Sequence, residues 1–281
     1  MSSLKRASDI NPGLIIGPVL VCGLLSAALF GCLACQSCLY FTRFRSDHVV
    51  LKAIVSTVIL VQLGHFACVI SMLWTMTVST YGDPSQLTVL PTASDISVPL
   101  SSLTVSIVQS FYAFRLWRLT RNVFLLTLSQ ILSVTAQTSA FVFLGMQFSM
   151  DLTHIESTQF LLADLALIAR AACELIITAG IAWSLYKKRG SEIRSTVSMI
   201  DRLLKWTIET GLVTSLMAFT LATLIPTLKQ PNNTGLGLYL LWPNVVGNSF
   251  LISLNRRSLL RKQGPKKRHS EPFLCFEHGC V

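Results

Sequence analysis

The chain has 281 residues, of which 52% are hydrophobic and 13% charged, with a mean hydropathy of +0.59 and a formal net charge of +10. An ordinary soluble domain carries about a quarter of its residues as charges, so this composition excludes one. The surplus positive charge also argues against nucleic acid as a partner, because it lies in short clusters between long uncharged stretches.

Six stretches hold no Asp, Glu, Lys or Arg over at least 19 residues, and a seventh is apolar with three charges inside it. Roughly 20 apolar residues in a helix cross the hydrocarbon of a bilayer. The expected fold is therefore all-α, a seven-transmembrane-helix bundle, with spans at 13–41, 50–79, 96–117, 123–148, 160–186, 206–228 and 236–254. The first stretch, between Asp9 and Arg43, is too long for the apolar core of a signal peptide. Gly23, Ala27, Gly31 and Cys35 recur on it every four residues, and Gly13 and Gly17 extend a similar spacing. Such a smooth face suits close helix approach, either as a seam within the bundle, the favoured reading, or as a dimer face. Cys32, Cys35 and Cys38 mimic a metal spacing, but no His or carboxylate joins them on that helix, and they read as small packing residues.

Each later stretch carries a polar stripe at the three- or four-residue spacing that places side chains on one helical face. The second has Gln62 and His65, the third Ser102, Ser106 and Gln109, and the fourth Gln130, Ser133 and Gln137. Asp164, Arg170, Glu174 and Thr178 lie in the fifth, Thr207, Thr210 and Thr214 in the sixth, and Asn244 and Asn248 in the seventh. Polar groups against lipid tails are costly, so these stripes should face inward. They either bond helix to helix or line a hydrated cavity made by His65, Gln109, Gln137, Asp164, Arg170, Glu174, Asn244 and Asn248. Arg170 and Glu174, four apart, are expected to neutralise each other as a pair, or else to form an ionisable site with Asp164 at its outer mouth. His65 reads as a hydrogen-bonding core residue rather than a ligand or a proton relay.

Nineteen of the 23 Lys and Arg residues fall in alternate gaps between the stretches: 43–52, 115–121, 187–205 and the tail after 255. Cytosolic connections collect Lys and Arg, which puts residues 1–12 outside and the basic tail, 255–281, in the cytosol. The tail should be disordered and should attract anionic lipid headgroups. Ser270, which follows a basic run, is a candidate phosphosite there, and Cys38, Cys275 and Cys280 are candidate acylation sites. Asn232 begins a glycosylation sequon on the outer side. None of the cysteines falls in an expected outer loop, so no extracellular disulfide is expected.

Several seven-helix functions are excluded by residue type. A retinal protein needs a Lys in the last helix, and none lies between Lys229 and Lys262. The third helix ends Phe111-Tyr112-Ala113-Phe114-Arg115, without the acid that precedes Arg in rhodopsin-like receptors. No nucleophile-elbow, zinc-helix or phosphate-loop motif appears, so no enzyme, metal or cofactor is expected.

The chain resembles a large family of seven-span proteins from mushroom-forming fungi that contain a domain of unknown function, number 6534. The resemblance rests on Gly31, Gln36, Tyr40, Phe41, Asp47, Lys52 and His65, and on residues 109–117 and 171–178. It continues at Thr196, 200–203, Ile208 and 210–215, and closes with 248–256. It implies an integral membrane protein and brings no activity with it. Relatives carry Asp where Glu174 and Gln62 stand, and Lys and Tyr where Asn244 and Val246 stand, so any charge relay they share is altered here. Family positions suggest structural tasks: Asp47 beside Arg45 and Lys52 pins the first turn, 196–202 begins the sixth helix, and Asn248, Asn255 and Arg256 fix the inner end of the seventh.

Three functions fit. The first is a receptor- or sensor-like protein of the plasma membrane whose basic loop, with Lys187, Lys188, Arg189, Arg194 and Arg202, meets a cytosolic protein after an unknown small ligand binds. The second is a small-solute transporter or channel, and the third a membrane scaffold. No internal repeat of the kind many transporters show is evident, which favours the first.

Overall fold

The computed structural model describes residues 12–79, 91–148, 155–189, 211–221, 223 and 233–257. Its elements are α1 (Pro12–Arg43), α2 (Val49–Trp74, continued by a π-turn over Thr75–Ser79) and α3 (Thr92–Thr120), followed by α4 (Val123–Phe148), α5 (Ile155–Arg189), α6 (Gly211–Leu221) and α7 (Thr234–Asn255). Six of these are long and apolar enough to cross a membrane; α6 is apolar but shorter within the described residues. The expected sixth span, 206–228, extends outside the described residues, as do Thr207, Thr210, Asn232, Arg194, Arg202, the start of the sixth helix and the tail.

Local chemistry sets the turns. Phe44 N–H bonds Tyr40 O at 2.9 Å, and the His48 ring accepts the Val50 N–H at 3.2 Å to start α2. α3 ends at Arg121, whose φ of 57° is left-handed and whose N–H returns to Trp117 O at 2.7 Å. Asn122 then accepts the Phe124 N–H at 2.9 Å and opens α4, so two residues suffice to reverse the chain.

α3 is the hub, packed against α2, α4, α5 and α7. Its sequence explains how a hydroxyl-rich helix can sit there. Ser97, Ser101 and Thr104 return their hydroxyls to carbonyls of α3 itself, at 2.6, 2.8 and 3.2 Å, so no donor is stranded and the small side chains admit neighbours closely. The outer faces are the reverse. On α4, Phe124, Ile131, Val134 and Phe141 are exposed, and on α5 Leu161, Leu165, Ile168, Leu175 and Trp183. Apolar outside and polar inside is the arrangement lipid favours. Trp74, Trp183 and Tyr186 are exposed near helix ends, where amphipathic rings suit the interface.

The four-residue stripe of α1 does not form a seam. Gly23 abuts Leu73, but Gly31 and Cys35 are exposed, and a Cβ on Gly31 would meet nothing within 4 Å. Cys32, Cys35 and Cys38 are all exposed and therefore do not pack the bundle. α1 instead turns Val19, Ser26, Leu33, Ser37 and Tyr40 inward. The face that wins is the one offering large buried side chains and a hydroxyl that α7 can bond.

Candidate functional site: a polar belt across the bundle

α5 carries Arg170 and Glu174 one turn apart, and both are buried, at 3% and 6% exposure. They do not pair with each other. The Arg170 guanidinium donates to Ser102 O at 3.1 Å, to the Ser102 hydroxyl, and to Ser106 Oγ at 3.5 Å, all on α3. Its flat face lies 5.9 Å from the ring centre of Trp242 on α7, within cation–π range. Ser102 and Ser106 pass their own protons to Gln137 Oε1 on α4, at 2.7 and 3.0 Å. The Glu174 carboxylate accepts Gln109 Nε2 of α3 at 3.3 Å and Thr214 Oγ1 of α6 at 3.2 Å. Gln109 also reaches Arg170 O at 3.4 Å. Direct pairing would have occupied both charged groups on one helix. Divided as they are, they tie α5 to α3, α6 and α7, and each charge is met by several dipoles.

A cavity of about 20 Å³ adjoins Glu174, lined also by Tyr112, Thr178, Thr214 and Ser249. That is room for one water molecule. Gln109 Oε1 and Gln137 Nε2 are buried without a partner among the described residues, so the belt retains hydrogen-bonding capacity. Asp164, on the same helix, likewise has one buried oxygen without a partner among the described residues.

The remaining expected residues lie elsewhere. Asn244 and Asn248 belong to a ladder between α7 and α1 rather than to the Arg170–Glu174 network. Asn244 Nδ2 donates to Ser26 Oγ at 2.6 Å, Asn248 Nδ2 to Leu29 O at 2.9 Å, and Gln36 Nε2 to Asn248 Oδ1 at 3.0 Å. Asn255 Nδ2 completes it on Gln36 O at 2.9 Å. Gln62 crosses from α2 to Pro243 O. His65 is fully buried, and neither ring nitrogen has a partner among the described residues, where it is a core residue without the hydrogen bonds its position suggested. Lys187 is exposed at the end of α5, which runs on through Lys188 and Arg189; the rest of the basic loop lies outside the described residues.

Residues 170–259 match the model of a family of unknown function, DUF6534. No curated protein and no solved structure matches the chain. The matched segment begins at Arg170 and takes in Glu174, Thr214, the α7 ladder and Arg257. It thus holds one partner of each contact made by Arg170, Glu174 and the α7 ladder, while the Ser102–Gln137 and Ser106–Gln137 bonds lie before it.

A second cluster at the basic end was not expected in this form. Asp47 was assigned to Arg45 and Lys52, yet it binds Arg257 Nη2 at 2.6 Å and the Tyr40 hydroxyl at 3.2 Å. Arg257 also covers the Phe44 ring at 4.8 Å and donates from Nε to Leu254 O at 3.0 Å. Lys52 bonds Arg45 O instead, at 2.6 Å. The guanidinium wins because its fork serves the carboxylate and the backbone at once, where an ammonium offers a single point charge. Arg257→Gln should cost about 1–2 kcal/mol of stability, since a charge-assisted bond and a ring contact go together. Arg45→Gln, at an exposed side chain, should stay within about 0.5 kcal/mol. Thermal unfolding in detergent would check both.

Proposed function

We propose that this chain is a seven-span, receptor-like membrane protein without catalytic activity, whose Arg170–Glu174 belt is the element that switches. In this reading Gly211–Leu221 belongs to a seventh span, the amino terminus lies outside, and the carboxyl terminus is in the cytosol at the plasma membrane. The skew of Lys and Arg supports that orientation. The observation that carries the proposal is the division of two buried charges among α3, α6 and α7, with only a water-sized cavity beside the carboxylate. A network of this kind has discrete alternatives: Glu174 can keep or release Thr214, and α6 moves accordingly. Small changes near the belt would then reach the basic loop between α5 and α6, where a cytosolic partner would dock. A transporter or channel built on the same residues would pass solute.

Proteoliposomes and a spin label distinguish these functions. With a label at Lys187→Cys, Thr214→Val should change the label's accessibility by about threefold or more, within the usual range of inter-site coupling. Flux of protons and small solutes should equal that of protein-free vesicles in both forms. Solute flux that disappears in Glu174→Gln would replace the receptor reading by the transport one. A label that senses no change would leave the belt as mere packing.

A further inference from the structure

α3 forms the floor and α2 a wall of a lateral groove lined by Val50, Leu51, Ile54, Ile107, Phe111 and Phe114. Ser106 and Ser110 border it, and their hydroxyls are spent on Gln137 and Gln130 at 3.0 and 3.1 Å, so the groove presents apolar surface. Its volume is about 460 Å³, well within the roughly 300–1,000 Å³ typical of sites for small organic molecules. Val50 and Phe114 remain 50% and 37% exposed at its mouth. Phe111, deeper in, is held edge-on by Phe250 of α7 at 5.1 Å, which keeps the floor from collapsing into the groove.

The groove runs towards the basic end. Arg118 follows Phe111 by seven residues and Phe114 by four, on the same face of α3. Arg121 closes that helix; its guanidinium lies 5.9 Å from the Trp117 ring, which in turn packs 5.5 Å from Phe114. Among the described residues of that end Asp47 is the one carboxylate, and Arg257 already holds it. An apolar slot with arginines one and two turns beyond it matches a long hydrocarbon chain joined to an anionic head.

We infer that this groove is a binding site for one anionic phospholipid, its acyl chain lying on α3 alongside α2 and its phosphate held by Arg118 and Arg121. The arginines supply the bidentate geometry that phosphate oxygens accept, and basic pockets between spanning helices favour anionic headgroups. The site stands apart from the receptor reading: it needs the six spans and the basic end, not a particular ligand or orientation. A lipid wedged there would set how closely α2 and α3 approach, and so the position of Ser106, which borders the groove and bonds Gln137 of the belt.

Delipidated protein titrated with phosphatidylglycerol and with phosphatidylcholine of the same chains, followed by native mass spectrometry, tests this. The first phosphatidylglycerol should bind at least about tenfold more tightly than phosphatidylcholine, since each basic residue near the headgroup contributes roughly a factor of five. Arg118→Gln/Arg121→Gln should remove that preference, while Lys52→Gln, whose ammonium bonds Arg45 O away from the groove, should keep it within about twofold. Val50→Trp, at the half-exposed mouth, should weaken the first phospholipid in either background and leave unfolding unchanged. Equal binding of the two lipids, or a preference untouched by the double arginine variant, would overturn the site. So would a stable dimer that forms on delipidation and covers the groove.

Discussion

Arg170→Gln should lower the unfolding free energy by about 3 kcal/mol, the cost of stranding a buried charge after its counter-charge is removed. The guanidinium contributes donors to Ser102 and Ser106 and lies against Trp242. Its loss therefore frees acceptors on α3 and uncovers a ring on α7. The larger part of the cost falls on Glu174, which keeps Gln109 and Thr214 but loses the nearby positive charge that offsets its burial. Glu174→Gln should cost less, about 1–2 kcal/mol, because the amide oxygen can still accept from Gln109 while its NH2 donates to the Thr214 hydroxyl, which turns from donor to acceptor. The double variant Arg170→Gln/Glu174→Gln should then be milder than the sum of the two by about 1–3 kcal/mol. Equilibrium unfolding of the four proteins closes the cycle. Additivity to within about 0.5 kcal/mol would mean that the two charges ignore one another and that the belt is a set of separate local bonds. Because the residues make no direct ion pair, such coupling would have to travel through the field and the shared α3 contacts, as a switching network requires.

How far the sequence foretold this arrangement differs from helix to helix. Apolar length, uncharged in all but α5, gave α1 to α5 and α7 within a few residues, because the bilayer imposes one dominant requirement that composition records directly. The inward polar stripes followed for the same reason, and Gln62, Ser102, Gln109, Ser133, Arg170, Glu174, Asn244 and Asn248 are all buried. What periodicity could not supply was the partner of each group. Arg170 and Glu174, four apart, satisfy the spacing for a pair, but the spacing is equally met when each turns to a different neighbour. The choice depends on the serines of α3, 64 and 68 residues away. Asp47 misled in the same way, since the nearest cations in sequence were Arg45 and Lys52 whereas the guanidinium that reaches it is 210 residues on. His65 shows the reverse failure: a polar residue on the buried face need not find a partner there. The small residues of α1 were overread, because lipid accepts Gly31 and Cys35 as readily as a protein seam does.

Gly237 marks the place where small size is in fact required. On α7, a Cβ there would lie 2.9 Å from Pro18 O and 3.1 Å from Cys22 Sγ, both on α1. The first of these is backbone, so no rotamer can relieve it, and Pro18 sits inside α1 where its carbonyl position is fixed by the helix. Gly237→Val should therefore push α1 and α7 apart, at a cost of about 3 kcal/mol, the upper range for overpacking a well-filled interface. The strain would spread down the shared seam, because Ser26–Asn244 and Leu29–Asn248 follow within three turns. Those bonds, 2.6 and 2.9 Å, lengthen if the helices part. Gly31→Ala is the matched comparison: its Cβ would meet nothing, and the better helix former should leave stability unchanged or raise it by up to about 1 kcal/mol. Unfolding midpoints of the two variants in the same detergent separate the outcomes. If Gly237→Val melts with the wild type while Gly31→Ala is destabilised, then α1 meets the bundle through its glycine stripe, and the α1–α7 ladder described above is not the contact that holds the first and last helices together.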